Sequence, residues 1–184
     1  MSDHANITPE LLRQLLRYEP DTGKLFWLPR PVEMFSSNGS CKSWNKKYSG
    51  LEAGNGSGHK YLRVCISNVK YFAHRIAWMM ENGEIPEKMM IDHINGIPTD
   101  NRMVNLRLAT KSQNMHNMGV GATNTSGSKG VHWYERKKKW HVQIRVCGSR
   151  KHIGYFSDIK DAESAYIAAA EEHQGNFAYH KRAH

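Results

Sequence analysis

Ile91-Asp92-His93-Ile94-Asn95-Gly96, followed by Asp100-Asn101-Arg102, Asn105-Leu106-Arg107-Leu108 and Ser112-Gln113-Asn114, is the stretch that decides how this chain is read. Met89 to His93 has strand character, and Asn95-Gly96 opens a polar loop that runs through Asn101. Leu106 to Ala109 reads as a second strand, with Leu106 and Leu108 as core residues. A helix is expected from about Ser112. The order is strand, loop, strand, helix, with an acid, an imidazole and several amides along it.

The residue types suggest a division of labour. Asp92 is a hard oxygen donor suited to Mg2+ or Mn2+. His93 is its neighbour, and adjacent strand residues point to opposite faces, so the two need not hold one ion. Asp92 is expected to hold a metal while His93 faces a water. An imidazole with a pKa of ~6.5 is a competent general base near neutral pH. Asn114 can return to the same ion as a second protein ligand. Asn105 can tie the end of the loop to backbone near His93 and orient the ring. Asn101 and Arg102 can brace the loop or touch phosphate. An Asp-His pair alone is more often structural than catalytic, so the reading rests on the whole constellation. His74 and His116 are read as surface or support residues. No structural zinc is expected, because His93, His116, His132 and His141 have no cysteine pair near them.

Upstream, Thr8 to Tyr18 opens with a possible cap and a Pro at the first helical position, and its leucines share one helical face. Pro20-Asp21-Thr22-Gly23 is a turn, and Leu25 to Leu28 reads as a strand. Residues 33–60 are rich in Ser, Gly, Asn and Lys and read as a long loop. Tyr61 to Ile66 and Lys70 to Ala73 form a hairpin about Asn68. His74 to Asn82 is a helix ended by Gly83 and Pro86.

Downstream, Gly119 to Ser128 has no hydrophobic pattern and reads as a flexible linker. Three strands follow: Gly130–Tyr134, Trp140–Val146 and Lys151–Phe156. The middle one alternates, with Trp140, Val142, Ile144 and Val146 opposed to His141, Gln143 and Arg145. Ser157 or Asp158 caps a helix to about His173, whose alanines and Tyr166 make a close-packing face. The expected fold is α+β: a ββα module with preceding strands and helices, joined to a three-stranded antiparallel sheet packed on one helix.

Charge points to the partner. The 184 residues carry 26 Lys and Arg against 17 Asp and Glu, a formal charge of +9, which favours a polyanion. Eight of these cations lie in residues 128–154 against a single acid, Glu135. That stretch reads as strands, so it lacks the amphipathic helix of a membrane-surface binder. No run approaches the ~18 apolar residues of a membrane span. No basic-then-apolar leader is seen at the N-terminus, and secretion is not expected. Three scattered cysteines, Cys41, Cys65 and Cys147, without a CxxC, do not suggest a disulfide scaffold.

The central constellation resembles the HNH (ββα-metal) endonucleases, and in particular the phage-borne homing branch that ends in Asn rather than His. Tyr18-Glu19-Pro20-Asp21-Thr22-Gly23-Lys24-Leu25-Phe26-Trp27 and Ala73-His74-Arg75-Ile76-Ala77-Trp78 look like the same branch. The resemblance implies that Asp92 binds metal, His93 is the general base, Asn105 orients it, and Asn114 is the second metal ligand. It implies hydrolysis of DNA phosphodiesters with one divalent ion, both strands and the helix inserting at or across the minor groove. Residues 126–177 resemble the DNA-binding domain of plant ethylene-response (Apetala-type) factors, through Ser128-Lys129-Gly130-Val131, Trp140 to Arg145, Ile153-Gly154-Tyr155-Phe156 and Asp161 to Tyr166. Such domains lay their sheet in the major groove. The plant target sequence does not carry over, because Gln143 replaces a usual acid and His132, Trp133 and Tyr134 replace an arginine-rich strand.

The expectation is a site-specific, metal-dependent DNA endonuclease. Residues 1–118 would form the nuclease domain, 119–128 the linker and 129–180 the Apetala-type domain. Expected DNA contacts are Lys129, His132, Trp133, Arg136, Lys137, Lys138, Lys139, His141, Gln143, Arg145 and Arg102. Arg145 can read guanine or grip phosphate, Gln143 can read adenine, and the lysines suit phosphate. The partner is double-stranded DNA and not a membrane. A monomer on DNA is the simplest assembly, encoded by a phage and working in the cytoplasm of a bacterial host. The alternative is a catalytically inactive DNA-binding regulator. RNA binding or cleavage is the third possibility.

Overall fold

The computed structural model describes residues 7–54, 58–121, 123–146 and 148–178. The N-terminal residues 1–6, Ala122 of the expected linker, Cys147, and 179–180 of the expected C-terminal domain lie outside them. The chain divides into two compact units, residues 1–109 and 110–184.

In the first unit, α1 (Pro9–Leu15) starts at Thr8, whose side chain accepts from the amide of Leu11. The expected helix stops three residues early. Leu16 is already extended, and β1 (Leu16–Glu19) pairs antiparallel with β2 (Lys24–Trp27), Leu16 opposite Trp27. Strand pairing therefore overrides the leucine periodicity. The expected loop over 33–60 is also corrected, since it contains α2 (Asn38–Tyr48). Ser37 caps this helix. Trp44 and Trp27 hold the Arg30 guanidinium at 4.0 and 4.9 Å, and Asn45 pairs with the Arg30 backbone in both directions. This is a tertiary anchor that helical periodicity does not reveal. β3 (Glu52–Ala53) completes the β1-β2-β3 sheet.

β4 (Arg63–Ile66) and β5 (Val69–Phe72) form a hairpin whose turn residues Ser67 and Asn68 both have positive φ, the geometry of a tight hairpin turn. It runs into α3 (Ala73–Asn82), which ends at Gly83 with φ +83°. β6 (Met90–His93) and β7 (Leu106–Ala109) then pair antiparallel. Leu12, Leu16, Val64, Ile76 and Ala77 are the most deeply buried apolar side chains of this unit's core.

The second unit begins with α4 (Lys111–Asn117), held at its start by a reciprocal capping box between Thr110 and Gln113. The later part of the segment expected as a linker is bonded. Ser126 Oγ lies 2.7 Å from the Val131 carbonyl oxygen and 3.0 Å from that of Ser128, Asn124 Nδ2 donates to Ser128 O, and buried Ser128 donates to Glu163. β8 (Val131–Tyr134), β9 (Lys139–Val146) and β10 (Ser149–Phe156) form an antiparallel sheet in the order β10-β9-β8. β10 carries a bulge at Ile153, because His152 pairs with Gln143 while Gly154 pairs with Val142. α5 (Ile159–Gln174), capped by Asp158, covers one face with Ala162, Tyr166, Ala169 and Ala170 against Val131, Val142 and Ile144. The fold is therefore α+β, with a β-β-α arrangement and a separate three-stranded sheet packed on a helix.

Gly130, with φ +70°, allows Tyr166 to pack on the start of β8. A Cβ there would lie 2.2 Å from the Tyr166 ring and 2.5 Å from the Gln143 carbonyl. Gly130→Ala is expected to destabilise this unit by about 1–3 kcal/mol, through overpacking and an unfavourable φ. Urea unfolding monitored by tryptophan fluorescence measures it, and an unchanged midpoint would contradict this packing argument.

Candidate active site

The β6–β7 register sets Asp92 opposite Arg107 and His93 opposite Leu106. Arg107 Nε and Nη2 lie 2.9 and 2.8 Å from Asp92 Oδ2 in a mostly buried ion pair. Sequence reading missed Arg107. The signal was present in the hairpin register, which makes residues 92 and 107 cross-strand partners.

The loop between the strands is closed by Asn105. Its Oδ1 accepts from the Asn95 amide at 2.9 Å, and its Nδ2 donates to Asp100 O at 2.7 Å. The Asn105 carbonyl accepts from the Ile94 amide at 2.8 Å. Asn95 Nδ2 donates to Asp100 Oδ2 at 2.7 Å, and Arg102 grips the same carboxylate through Nε and Nη2. Arg102, foremost, and Asn95 hold the Asp100 pKa down at about 2 despite burial. Arg102 is thus tied to Asp100 on an exposed edge of the loop.

One side-chain partner of the imidazole is Asn101. His93 Nε2 and Asn101 Oδ1 are 3.0 Å apart, and both residues are buried. An amide oxygen accepts, so Nε2 carries the proton and the basic lone pair is on Nδ1. Asn101 is itself fixed by the β1–β2 hairpin. Tyr18 donates its buried phenol to Asn101 O at 2.6 Å, and Met103 donates its amide to Pro20 O at 3.0 Å. Gly23 lies so close that a Cβ would fall 2.5 Å from the Arg102 nitrogen and 2.6 Å from the Asn101 carbonyl carbon.

Rings complete the surroundings of His93. His74 stands edge-on at 5.1 Å and Tyr61 lies at 6.0 Å, while Phe72 stacks on His74 at 5.4 Å. Burial lowers the His93 pKa below its ordinary value, against the opposing effects of Asn101, Asp92 and Asp100. Burial, with smaller contributions from His93 and Arg75, pushes His74 down to about 3. Both rings are therefore neutral at pH 7. His74, expected as a surface or support residue, is buried against the His93 ring.

Asn114 is half-buried on α4, in the second unit. Among the described residues no group of three or more His, Cys, Asp or Glu could hold a metal ion. The expected donor set is smaller: one carboxylate and one amide. These are hard oxygen donors that fit Mg2+ or Mn2+, ions that keep several waters.

The sheet presents a different chemistry. His141 Nε2 lies 2.9 Å from His152 Nδ1, Tyr155 stacks on His141, and Lys137 Nζ sits 3.8 Å over the Tyr155 ring. Desolvation first, then His152, His132 and Lys137, lowers the His141 pKa. His132, Arg136, Lys138, Lys139 and Arg145 are exposed, and Gln143 is half-buried. Trp133 is 44% exposed, packs edge-on against Trp140 and donates to Glu135, which also pairs with Lys138. Lys129 instead turns its ammonium to the carbonyls of Met115, His116 and Met118.

The sequence profile of the HNH endonuclease family matches residues 71–116. Protein 3.8 of Escherichia phage T7 is 33% identical over 105 residues, which is 57% of this chain and 86% of that protein. This chain belongs to the HNH endonuclease family. The HNH match runs from β5 through α4, and so includes His74, Asp92, His93, Asn101, Asn105 and Asn114. The β8–β10 sheet lies beyond it. No solved structure gives a match. Among the described residues no helix is long and apolar enough to cross a membrane.

The two buried imidazoles of the HNH domain make its stability acid-sensitive. Unfolding releases His74 from about 3 to its ordinary ~6.5, so below that value the unfolded chain binds more protons. Stability is then expected to fall continuously as pH drops from 6.5 toward 3. His74→Phe keeps a ring and should flatten this slope. Urea midpoints at several pH values measure it, and equal slopes in both proteins would refute the assignment.

Proposed function

We propose that this HNH protein is a site-specific DNA endonuclease of the homing type, hydrolysing phosphodiester bonds in double-stranded DNA. The observation that carries this reading is the His93–Asn101 hydrogen bond beside Asp92. It leaves Nδ1 as the basic nitrogen of a buried, neutral imidazole. In the proposed reaction His93 Nδ1 takes a proton from a water whose oxygen attacks phosphorus, and the 3′ oxygen leaves. Asn105 holds the loop, and Asn101 holds the ring. Asp92 and Asn114 would hold one divalent cation, which when bound supplies Lewis-acid stabilisation of charge on phosphorus.

The β8–β10 sheet is proposed to read DNA as an Apetala-type domain, with residues 1–118 as nuclease, 119–128 as connection and 129–180 as reader. Arg145 lies directly opposite Arg150, and both are exposed. Like charges opposed across strands are unfavourable alone, and a polyanion relieves them. His141 and Gln143 share the Arg145 face of β9, while Arg136, Lys137, Lys138 and Lys139 lie in the adjoining turn and strand start. His132, Trp133 and Arg102 remain proposed contacts as well. The protein is proposed to act as a monomer, encoded by a phage, in the cytoplasm of its bacterial host. A second reading, a DNA-binding regulator without cleavage, draws on Arg107, whose guanidinium already engages Asp92.

One experiment separates these readings: cleavage of supercoiled plasmid carrying phage genomic DNA, with Mg2+ or Mn2+, beside EDTA. The nuclease reading expects nicked or linear product that EDTA abolishes. It expects Asp92→Ala and His93→Ala to lose cleavage by ~100-fold or more while DNA binding persists. Binding without cleavage across a library of target sequences supports the regulator. Equal loss of binding and cleavage in Asp92→Ala makes that residue structural. Separately, Arg145→Ala should blur target choice by ~1–3 kcal/mol at one position, with less effect on cleavage at saturating DNA. Competition among related sites measures this, and an unchanged preference removes Arg145 as a reader.

A further inference from the structure

Lys129 resembles one more basic residue in a basic segment, yet its ammonium faces inward. Nζ lies 3.2 Å from Met115 O, 2.6 Å from His116 O and 2.7 Å from Met118 O. These are carbonyls of the last turn and cap of α4, which ends at Asn117. A helix leaves its final carbonyls without intrahelical partners, and its C-terminus carries partial negative charge. An ammonium offers three donors, matching three such carbonyls. Burial lowers the Lys129 pKa to about 8, as expected for an ammonium drawn out of water.

The segment that delivers this cap is itself fixed. Ser128, immediately before it, donates to Glu163 of α5, and Gly130, immediately after it, accepts the Gln143 amide of β9 at 2.9 Å. Lys129 therefore projects from a backbone held to both layers of the sheet-and-helix unit. The turn it caps begins at Asn114, whose carbonyl accepts the Met118 amide at 3.2 Å.

We propose that Lys129 is a positioning residue for the nuclease reaction: it fixes the C-terminal turn of α4, and with it Asn114, to the β8–β10 sheet. This rests on the reading of Asn114 as a metal ligand. The helix that carries this ligand is thereby held to the sheet-and-helix unit.

The test uses the full chain as wild type, Lys129→Met, Lys129→Arg and Asn114→Ala. Amide hydrogen exchange is followed without metal or DNA, together with the Mg2+ dependence of cleavage and the salt dependence of DNA binding. Lys129→Met should speed exchange in the last turn of α4. It should also raise the Mg2+ needed for half-maximal cleavage by ~10-fold, as loss of an outer support does. The salt slope of binding should stay unchanged, and Lys129→Arg should restore both protection and Mg2+ dependence. Unchanged protection in Lys129→Met overturns the clamp. A salt slope reduced by ~0.9, with cleavage loss following affinity, overturns it in favour of a phosphate contact. An Asn114→Ala protein with wild-type Mg2+ dependence overturns the metal-ligand reading and so the catalytic consequence. The exchange data show separately whether the clamp itself survives.

Discussion

The organisation of the first unit depends on the placing of one peptide, Asn101–Arg102. It is gripped from one side by the Tyr18 phenol and pressed by the turn at Gly23. From the other side, the Asn105 clasp and the Asp100–Arg102 fork hold the loop that delivers it. The outcome is a single amide oxygen aimed at His93 Nε2. An exposed loop amide would sample many rotamers, and this one is buried and constrained by backbone on both sides. The N-terminal hairpin thus has a function although it contributes no reactive group. It fixes one partner of the imidazole, and so its tautomer.

Polarity around that imidazole is arranged in the same spirit. Asp92 and Arg107 form a buried pair on one side of the strand, and neutral rings surround His93 on the other. A charged neighbour in place of His74 would couple directly to the His93 ring. A ring that stays neutral down to about pH 3 contributes shape and exclusion of water instead.

Much of this was legible in sequence because it is local. The β6 and β7 strands, the α3 helix with its glycine stop, and the alternation of β9 follow from periodicity and turn residues. Asp92, His93 and Asn105 are legible only as parts of the whole constellation, since an Asp-His pair alone is more often structural. The parts that were not legible depend on contacts distant in sequence. β1 gave up helical periodicity for a partner strand, and α2 formed on the Arg30–tryptophan stack despite a loop-like composition. Asn101 differed from its neighbouring amides only through Tyr18 and Gly23, more than 70 residues earlier. Lys129 reads as a DNA contact from its basic segment and from the Ser128-Lys129-Gly130-Val131 resemblance, whereas its ammonium meets three carbonyls. Charge composition reports the partner of a surface and says little about any single lysine.

The bulge at Ile153 gives β10 a three-residue rhythm. His152 and Tyr155 gather on the His141 side, while Ile153 and Phe156 turn to the core. A regular strand alternates every second residue and could not send residues 152 and 155 to the same side. The extra residue is therefore an insertion that the ladder with β9 bypasses. Removing Ile153 would leave the pairs His152–Gln143, Gly154–Val142, Tyr155–His141 and Phe156–Trp140 as they are and restore plain alternation. Divergence within this sheet can therefore lose one residue of β10 at this point without turning the outward rings to the core.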